Sequence, residues 1–167
     1  MKFPKPKKVK EKKIYVLKRT PLKRSTKPIS KRGKTPLAKA KKKAWDTFSI
    51  YVRTRDALKT TGTKNYLLCI TCDKEYPAFG RGCAQAGHFI PGRGNAVLID
   101  ERFVNGQCYN CNINLKGNWI VYEQKMIKMW GKEEVEKVKK AAKQTITRTS
   151  DEWLEIELTY KELLNNL

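Results

Sequence analysis

The chain has 167 residues, with 37 Lys and Arg against 16 Asp and Glu, a formal net charge of +21. That length suits one domain and a tail. The longest early apolar run, residues 14–17, is too short for a signal-peptide core or a membrane span, and five cysteines without a secretory signal argue against a disulfide framework.

The charge is unevenly placed. Residues 1–43 hold 19 Lys and Arg and one acid, Glu11, whereas residues 44–167 hold 18 against 15. Residues 1–36 therefore read as a disordered basic arm. It contains five of the seven prolines and the phrases LKRTPLKRSTKP and SKRGKTPL. Such a segment repels itself, buries almost nothing and stays extended until it meets a polyanion such as DNA, RNA or an acidic membrane. Its phosphate contacts would add affinity without sequence information. A tail that only aids solubility is the plainer reading.

A helix is predicted over 37–58, with Trp45, Phe48 and Val52 on one stripe. Gly62 breaks it. Residues 66–70 suit a strand leading into a Cys-x-x-Cys turn. Residues 73–95, rich in glycine, read as loops and a short hairpin, and 96–99 as a strand. After a second Cys-x-x-Cys turn, a helix is predicted from 117–118 to Trp130. Its face is Trp119, Tyr122, Met126 and Met129, and Gly131 ends it. A charged helix follows over 133–143. Thr149 and Glu152 form a capping box for a last helix ending near Asn165, with Trp153, Ile156, Tyr160 and Leu163 or Leu164 inward. The expected domains are the arm (1–36), a helix with a zinc-bound core (37–131), and C-terminal helices packing on that core or mediating association (132–167).

Cys69 and Cys72, and Cys108 and Cys111, make two knuckles that bracket the glycine-rich segment. Each knuckle presents two thiolates from one tight turn, and two knuckles complete a tetrahedron around Zn²⁺. Four protein ligands leave no position for water, so such a zinc is structural and adds folding energy directly. The alternative is a redox pair of cysteines, which usually sits alone near a βαβ unit. Cys83 reads as a bystander.

The single histidine, His88, lies in Gln85-Ala86-Gly87-His88-Phe89-Ile90-Pro91. Alone it reads as a core or loop histidine, or as a zinc ligand. Among Arg93, Arg102, Asn105 and Asn112 it also reads as a base that takes a proton from water near neutral pH. Arg93 and Arg102 are candidate phosphate clamps or ordinary surface arginines. Lys116 and Asn118 lie at a predicted helix start, where backbone N–H groups favour anions. The Trp119, Tyr122 and Met126 stripe reads as core rather than as a base-stacking platform.

Cys69-x-x-Cys72, Ala86-Gly87-His88-Phe89, Gln107-Cys108-x-x-Cys111-Asn112, Lys116-Gly117-Asn118 and Tyr122 together resemble the phage NinG (Rap) family of recombination nucleases. More broadly they resemble HNH, or ββα-metal, endonucleases such as phage endonuclease VII. The resemblance implies an α+β fold with a zinc-stabilised treble-clef core flanked by helices. It implies metal-dependent cleavage of branched recombination intermediates (Holliday junctions and D-loops) and a phage or prophage protein in the bacterial cytoplasm. His88 resembles the general base and Asn112 a ligand of the catalytic Mg²⁺ or Mn²⁺. Recombination proteins are possible partners, and a junction with two strands to cut suits a homodimer. Two positions depart from the pattern. Gly87 stands where many HNH enzymes carry a metal-binding Asp or His, and Phe103 where they carry an asparagine that orients the base. Asn105 is the candidate for that orienting role, or for binding metal or phosphate. Gln85 or Asp100 is the candidate to complete the metal shell. The alternatives to a nuclease are a non-catalytic zinc module that binds DNA or RNA as a recombination accessory, and a scaffold recruiting partners through the C-terminal helices.

Overall fold

A computed structural model describes residues 34–91 and 94–167. The arm through residue 33, and Gly92 and Arg93, lie outside the described residues, so the expectations for the arm and for Arg93 are carried by the sequence.

Helix α1 (Pro36–Thr61) starts where Thr35 Oγ1 accepts from the N–H of Ala38 and Pro36 enters the first turn. Both features satisfy or dispense with helix-end donors. It ends at Gly62, whose φ of 71° lets its N–H reach Leu58 O. Strands β1 (Tyr66–Leu68) and β2 (Glu75–Pro77) pair antiparallel, as do β3 (Gln85–His88) and β4 (Val104–Gln107). A π-helical turn (Asn110–Asn114) then leads to α2 (Trp119–Trp130), α3 (Lys132–Ala141) and α4 (Ser150–Asn165). The α4 start is a complete capping box, with Thr149 and Glu152 each accepting from the other's backbone N–H.

The β3–β4 hairpin positions the site because its two faces bury against different helices. Ala86 and Val104 join Phe48, Tyr51 and Val52 of α1. The neighbouring residues Gly87 and Asn105 face the other way, toward Tyr122 and Met126 of α2, as the two-residue repeat of a strand requires. Phe89, Val97, Phe103, Tyr122, Met126, Val135 and Val138 form the core on that second side. Burying an apolar side chain of this size contributes roughly 1.5–3 kcal/mol, so α2 and α3 are fastened chiefly by this cluster. Helix α4 packs along α1, where Trp153 meets Ala44 and Leu98.

Two expectations are corrected. Residues 96–99 are turns, not a strand. They are apolar because Val97 and Leu98 plug two different core clusters. The predicted apolar face of α2 is also narrower than its stripe: Tyr122 and Met126 are buried, but Trp119 and Met129 are exposed. They lie at the ends of the helix, past the core that holds its middle.

Candidate active site and metal cluster

The first knuckle is a tight turn after β1, closed by Cys69 N–H to Lys74 O at 2.9 Å and Asp73 N–H to Cys69 O at 2.9 Å. The second follows β4 and runs into the π-helical turn, with Asn112 N–H to Cys108 O at 2.9 Å. The sulfur atoms of Cys69, Cys72, Cys108 and Cys111 all lie within 4.8 Å of one another, and Cys72 and Cys108 are 4.0 Å apart. Thiolates bound at about 2.3 Å to a tetrahedral Zn²⁺ stand about 3.8 Å apart, so the cluster is close to the size that a zinc ion needs. Cys83 is not among them; its sulfur faces Arg53 at 3.7 Å.

The electrostatics of the cluster suit a cation. Burial opposes ionisation of Cys69, but hydrogen bonds from Thr71 Oγ1 and from the N–H of Cys108 outweigh it, and the thiol falls to about 7. Burial and the nearby Cys69 sulfur push Cys72 up to about 12, and burial raises Cys111. One thiolate forms readily and discourages the next. A divalent ion removes that repulsion and allows all four to ionise.

The residue after Cys111 is Asn112, so the knuckle fixes its position. Asn112 lines a cavity of about 130 Å³ together with His88, Lys116, Gly117 and Ala86. Asn112 Nδ2 donates to Gln85 Oε1 at 2.6 Å, which leaves Oδ1 as its atom for a hard cation. His88 stands at the end of β3. Its ring stacks on Trp45 of α1, with centroids 4.7 Å apart and planes 20° from parallel. Its Nε2 lies 3.1 Å from Leu98 O. A carbonyl only accepts, so Nε2 carries a proton, and in the neutral ring the basic lone pair is on Nδ1.

Asn105 is on the opposite face of the hairpin, outside this cavity. It is buried, donates to Tyr122 Oη at 3.1 Å, and is approached by Arg55 Nη2 at 3.4 Å. Tyr122 Oη in turn donates to Gly87 O at 3.0 Å. Asn105 therefore reaches the peptide before His88 through one intermediary and does not touch the imidazole. Arg102 is engaged by two carboxylates, Asp100 at 3.1 Å and Glu134 at 2.6 Å, so a phosphate would compete with both. Asp100 does not line the His88 cavity, whereas Gln85 contacts Asn112 directly. Asn118 begins α2 in a left-handed conformation (φ 46°) and makes no side-chain cap.

Gly87 is explained by crowding. A Cβ there would lie 2.5 Å from Gln107 Oε1 and 2.9 Å from Gln107 Cβ. The fully buried Gln107 fills that space, and its Nε2 donates to Thr71 and to Gly117 O. Its Oε1 has no hydrogen-bond partner among the described residues. Among the described residues, no carboxylate lines the His88 cavity. Of the side chains that line it, Asn112 offers an amide oxygen that could face a cation. Trp45 and Tyr122 are two site-shaping residues to which sequence reasoning gave an inward face but no role at the site. Their helical spacing marked them as inward-facing, but nothing local showed which strand residue each would meet.

Four clustered thiols joined to a short hairpin and flanked by helices define a small protein of mixed α and β structure with a cysteine cluster that could bind a metal. More particularly, the chain belongs to the bacteriophage lambda NinG protein family, whose model matches residues 3–167. That family is linked to phage recombination. No curated protein and no solved structure matches the chain. No helix among the described residues is long and apolar enough to cross a membrane.

Proposed function

We propose that this chain is a metal-dependent endonuclease of the HNH, treble-clef type that cuts branched DNA. The observation that carries this reading is the cavity shared by His88, Asn112 and Lys116, set directly on the second knuckle of the cysteine cluster. In this reading Zn²⁺ sits in the four cysteines and has no part in the chemistry. It holds Asn112 in register with the hairpin that carries His88.

His88 serves as the base that takes the proton of the attacking water, while Leu98 O lies against Nε2 and Trp45 holds the plane of the ring. Lys116 offers an ammonium to a non-bridging phosphate oxygen, and Asn112 Oδ1 would be the side-chain ligand for a divalent cation there. Bound Mg²⁺ or Mn²⁺ would supply charge to stabilise the phosphoryl oxygens and the leaving oxygen. The water oxygen forms a bond to phosphorus as the bond from phosphorus to the 3′-oxygen breaks. The products carry a 5′-phosphate and a 3′-hydroxyl. Asn105 is assigned a positioning role through Tyr122.

The lack of a carboxylate in the cavity favours one second reading, a non-catalytic zinc module that binds DNA in recombination. Cleavage of a labelled four-way junction beside matched linear duplex separates the two. It is run with Mg²⁺, with Mn²⁺ and with EDTA, for wild type and His88→Ala. The nuclease reading expects metal-dependent junction cutting that His88→Ala abolishes while binding persists. Tight binding with no cutting in either metal would overturn it in favour of the second reading.

A further inference from the structure

The stretch from the second knuckle to the first turn of α2 exposes Tyr109, Ile113, Leu115, Trp119 and Ile120. Trp119 and Ile120 keep 54% and 64% of their surface in solvent. Five large apolar side chains turned outward within one short segment mark a contact surface rather than scattered exposure. The backbone beneath is well fixed. Gly117 N–H reaches Cys111 O at 2.9 Å and Asn118 N–H reaches Leu115 O at 2.8 Å. Lys116, Gly117 and Asn118 hold consecutive positive φ angles of 50°, 90° and 46°. The turn is therefore tied to the cysteine knuckle and presents its side chains on a firm base.

Charge decides what this surface fits. Residues 103–122 contain no Asp or Glu, and their one cation is Lys116. Another exposed apolar pair, Leu154 and Leu158 of α4, stands among Asp151, Glu152, Glu155, Glu157 and Glu162 with only Lys161 to offset them. A phosphate backbone is repelled from α4 and is not repelled here. Lys116 and Gly117 also line the His88 cavity, so the apolar face is continuous with the candidate site.

We infer that this face is a base-stacking wedge, with Trp119 at its tip, that recognises unstacked bases at a DNA branch point. In continuous duplex every base face is covered by its neighbour, and an apolar surface gains little. At a branch or in a single strand the faces are open, and an aromatic or branched aliphatic side chain stacks against them. The wedge thus supplies the preference for branched DNA on which the proposed nuclease reading depends, and it leaves the hydrolytic step to the cavity.

The test measures binding by the full chain in buffer without added Mg²⁺ or Mn²⁺, so that cutting plays no part. Fluorescence anisotropy gives Kd for a four-way junction and for linear duplex of the same sequence. Trp119→Ala is expected to weaken junction binding about tenfold or more and to leave duplex binding unchanged. Trp119→Phe restores most of the loss, and Leu158→Ala changes neither. A second readout needs no variant: 2-aminopurine at the branch point is quenched when wild type binds. Junction affinity untouched by Trp119→Ala, or unquenched 2-aminopurine in the bound state, overturns the wedge. So does a dimer of this chain that Trp119→Ala converts to monomer with junction affinity per chain unchanged, since a second copy then covers the face. Absence of cleavage in Mg²⁺ and Mn²⁺ with stacking intact sinks the nuclease reading and leaves the wedge standing.

Discussion

Tyr122 donates its phenolic proton to the carbonyl of Gly87 at 3.0 Å, across the interface between α2 and the β3–β4 hairpin. Burial keeps this phenol protonated well beyond the ordinary tyrosine range. Asn105 Nδ2 donates to the Tyr122 phenolic oxygen, so the peptide immediately before His88 is held by a buried chain of two hydrogen bonds. Tyr122→Phe keeps the ring and removes the donor. It removes one donor to the Gly87 carbonyl and the nearest acceptor of Asn105 Nδ2, at a cost of about 1–3 kcal/mol. The melting temperature is expected to fall, and junction cleavage to fall further than junction binding. Equal losses in cleavage and binding would show that the hydrogen bond supports the fold without positioning His88.

In the HNH reading proposed above, Gly87→Asp would supply the acid that many such enzymes carry before the base. The structure predicts a less stable protein and no gain in cleavage. The new Cβ would meet Gln107 Oε1 at 2.5 Å and Gln107 Cβ at 2.9 Å, and overpacking of this kind costs about 1–3 kcal/mol. Thermal unfolding and a junction assay check both parts. A stable, more active Gly87→Asp enzyme would show that Gln107 yields and that a missing ligand limits the site.

The cysteine cluster should be the main staple of the small body. Cys108→Ser is expected to abolish binding of zinc and to cost most of the native tertiary signal, because structural zinc sites contribute folding free energy directly. Elemental analysis of the wild type should give one zinc per chain, and a strong chelator should lower its melting temperature. Cys83→Ser should leave zinc content and melting unchanged, since its sulfur lies beside Arg53 and outside the cluster. A zinc-free Cys108→Ser variant with native near-UV dichroism would refute the structural role.

The parts of this architecture that were legible in the sequence are those written in local chemistry. Two knuckles of fixed spacing bring four thiols together whatever lies between them. Thr149 and Glu152 announce a helix start because the capping box needs only four consecutive residues. The site was less legible because it depends on which face of a strand a residue takes. Asn105 pairs with Gly87 while His88 pairs with Val104, so Asn105 and His88 point to opposite sides. A slip of one residue in register would have put Asn105 beside the imidazole. Nothing in the local pattern sets that parity; it follows from Ala86 and Val104 packing on α1. Trp45 was legible as an inward residue, but its partner His88 is brought to it only by tertiary packing.

Trp45→Ala removes the surface on which the imidazole lies. The ring keeps its contact with Leu98 O but loses the aromatic face that sets its plane. His88 is the only histidine in the chain, so its ring signals can be followed without ambiguity by NMR. The expected result is a change in imidazole line widths in Trp45→Ala and a fall in junction cleavage larger than any fall in junction binding, because a mobile base spends less time aligned with the water. Trp45→Phe, which retains an aromatic face, should recover part of both effects. Imidazole line widths and cleavage identical in all three proteins would mean that the stack is ordinary core packing.

The basic arm should govern salt sensitivity. Residues 1–33 hold much of the excess cation of the whole chain, and each phosphate that they neutralise releases condensed counterions from the DNA. With about 6–10 such contacts, junction affinity should drop roughly 10³–10⁵-fold between 50 and 200 mM salt. Deleting residues 1–33 should flatten the slope of log Kd against log salt for junction and duplex alike, because contacts to phosphate do not read structure. It should leave any preference for junction over duplex largely intact, since the proposed wedge lies in the folded body. If the slope survives the deletion, Lys and Arg of the body carry the phosphate contacts. If the slope flattens and the junction preference disappears with it, the arm recognises branched DNA directly.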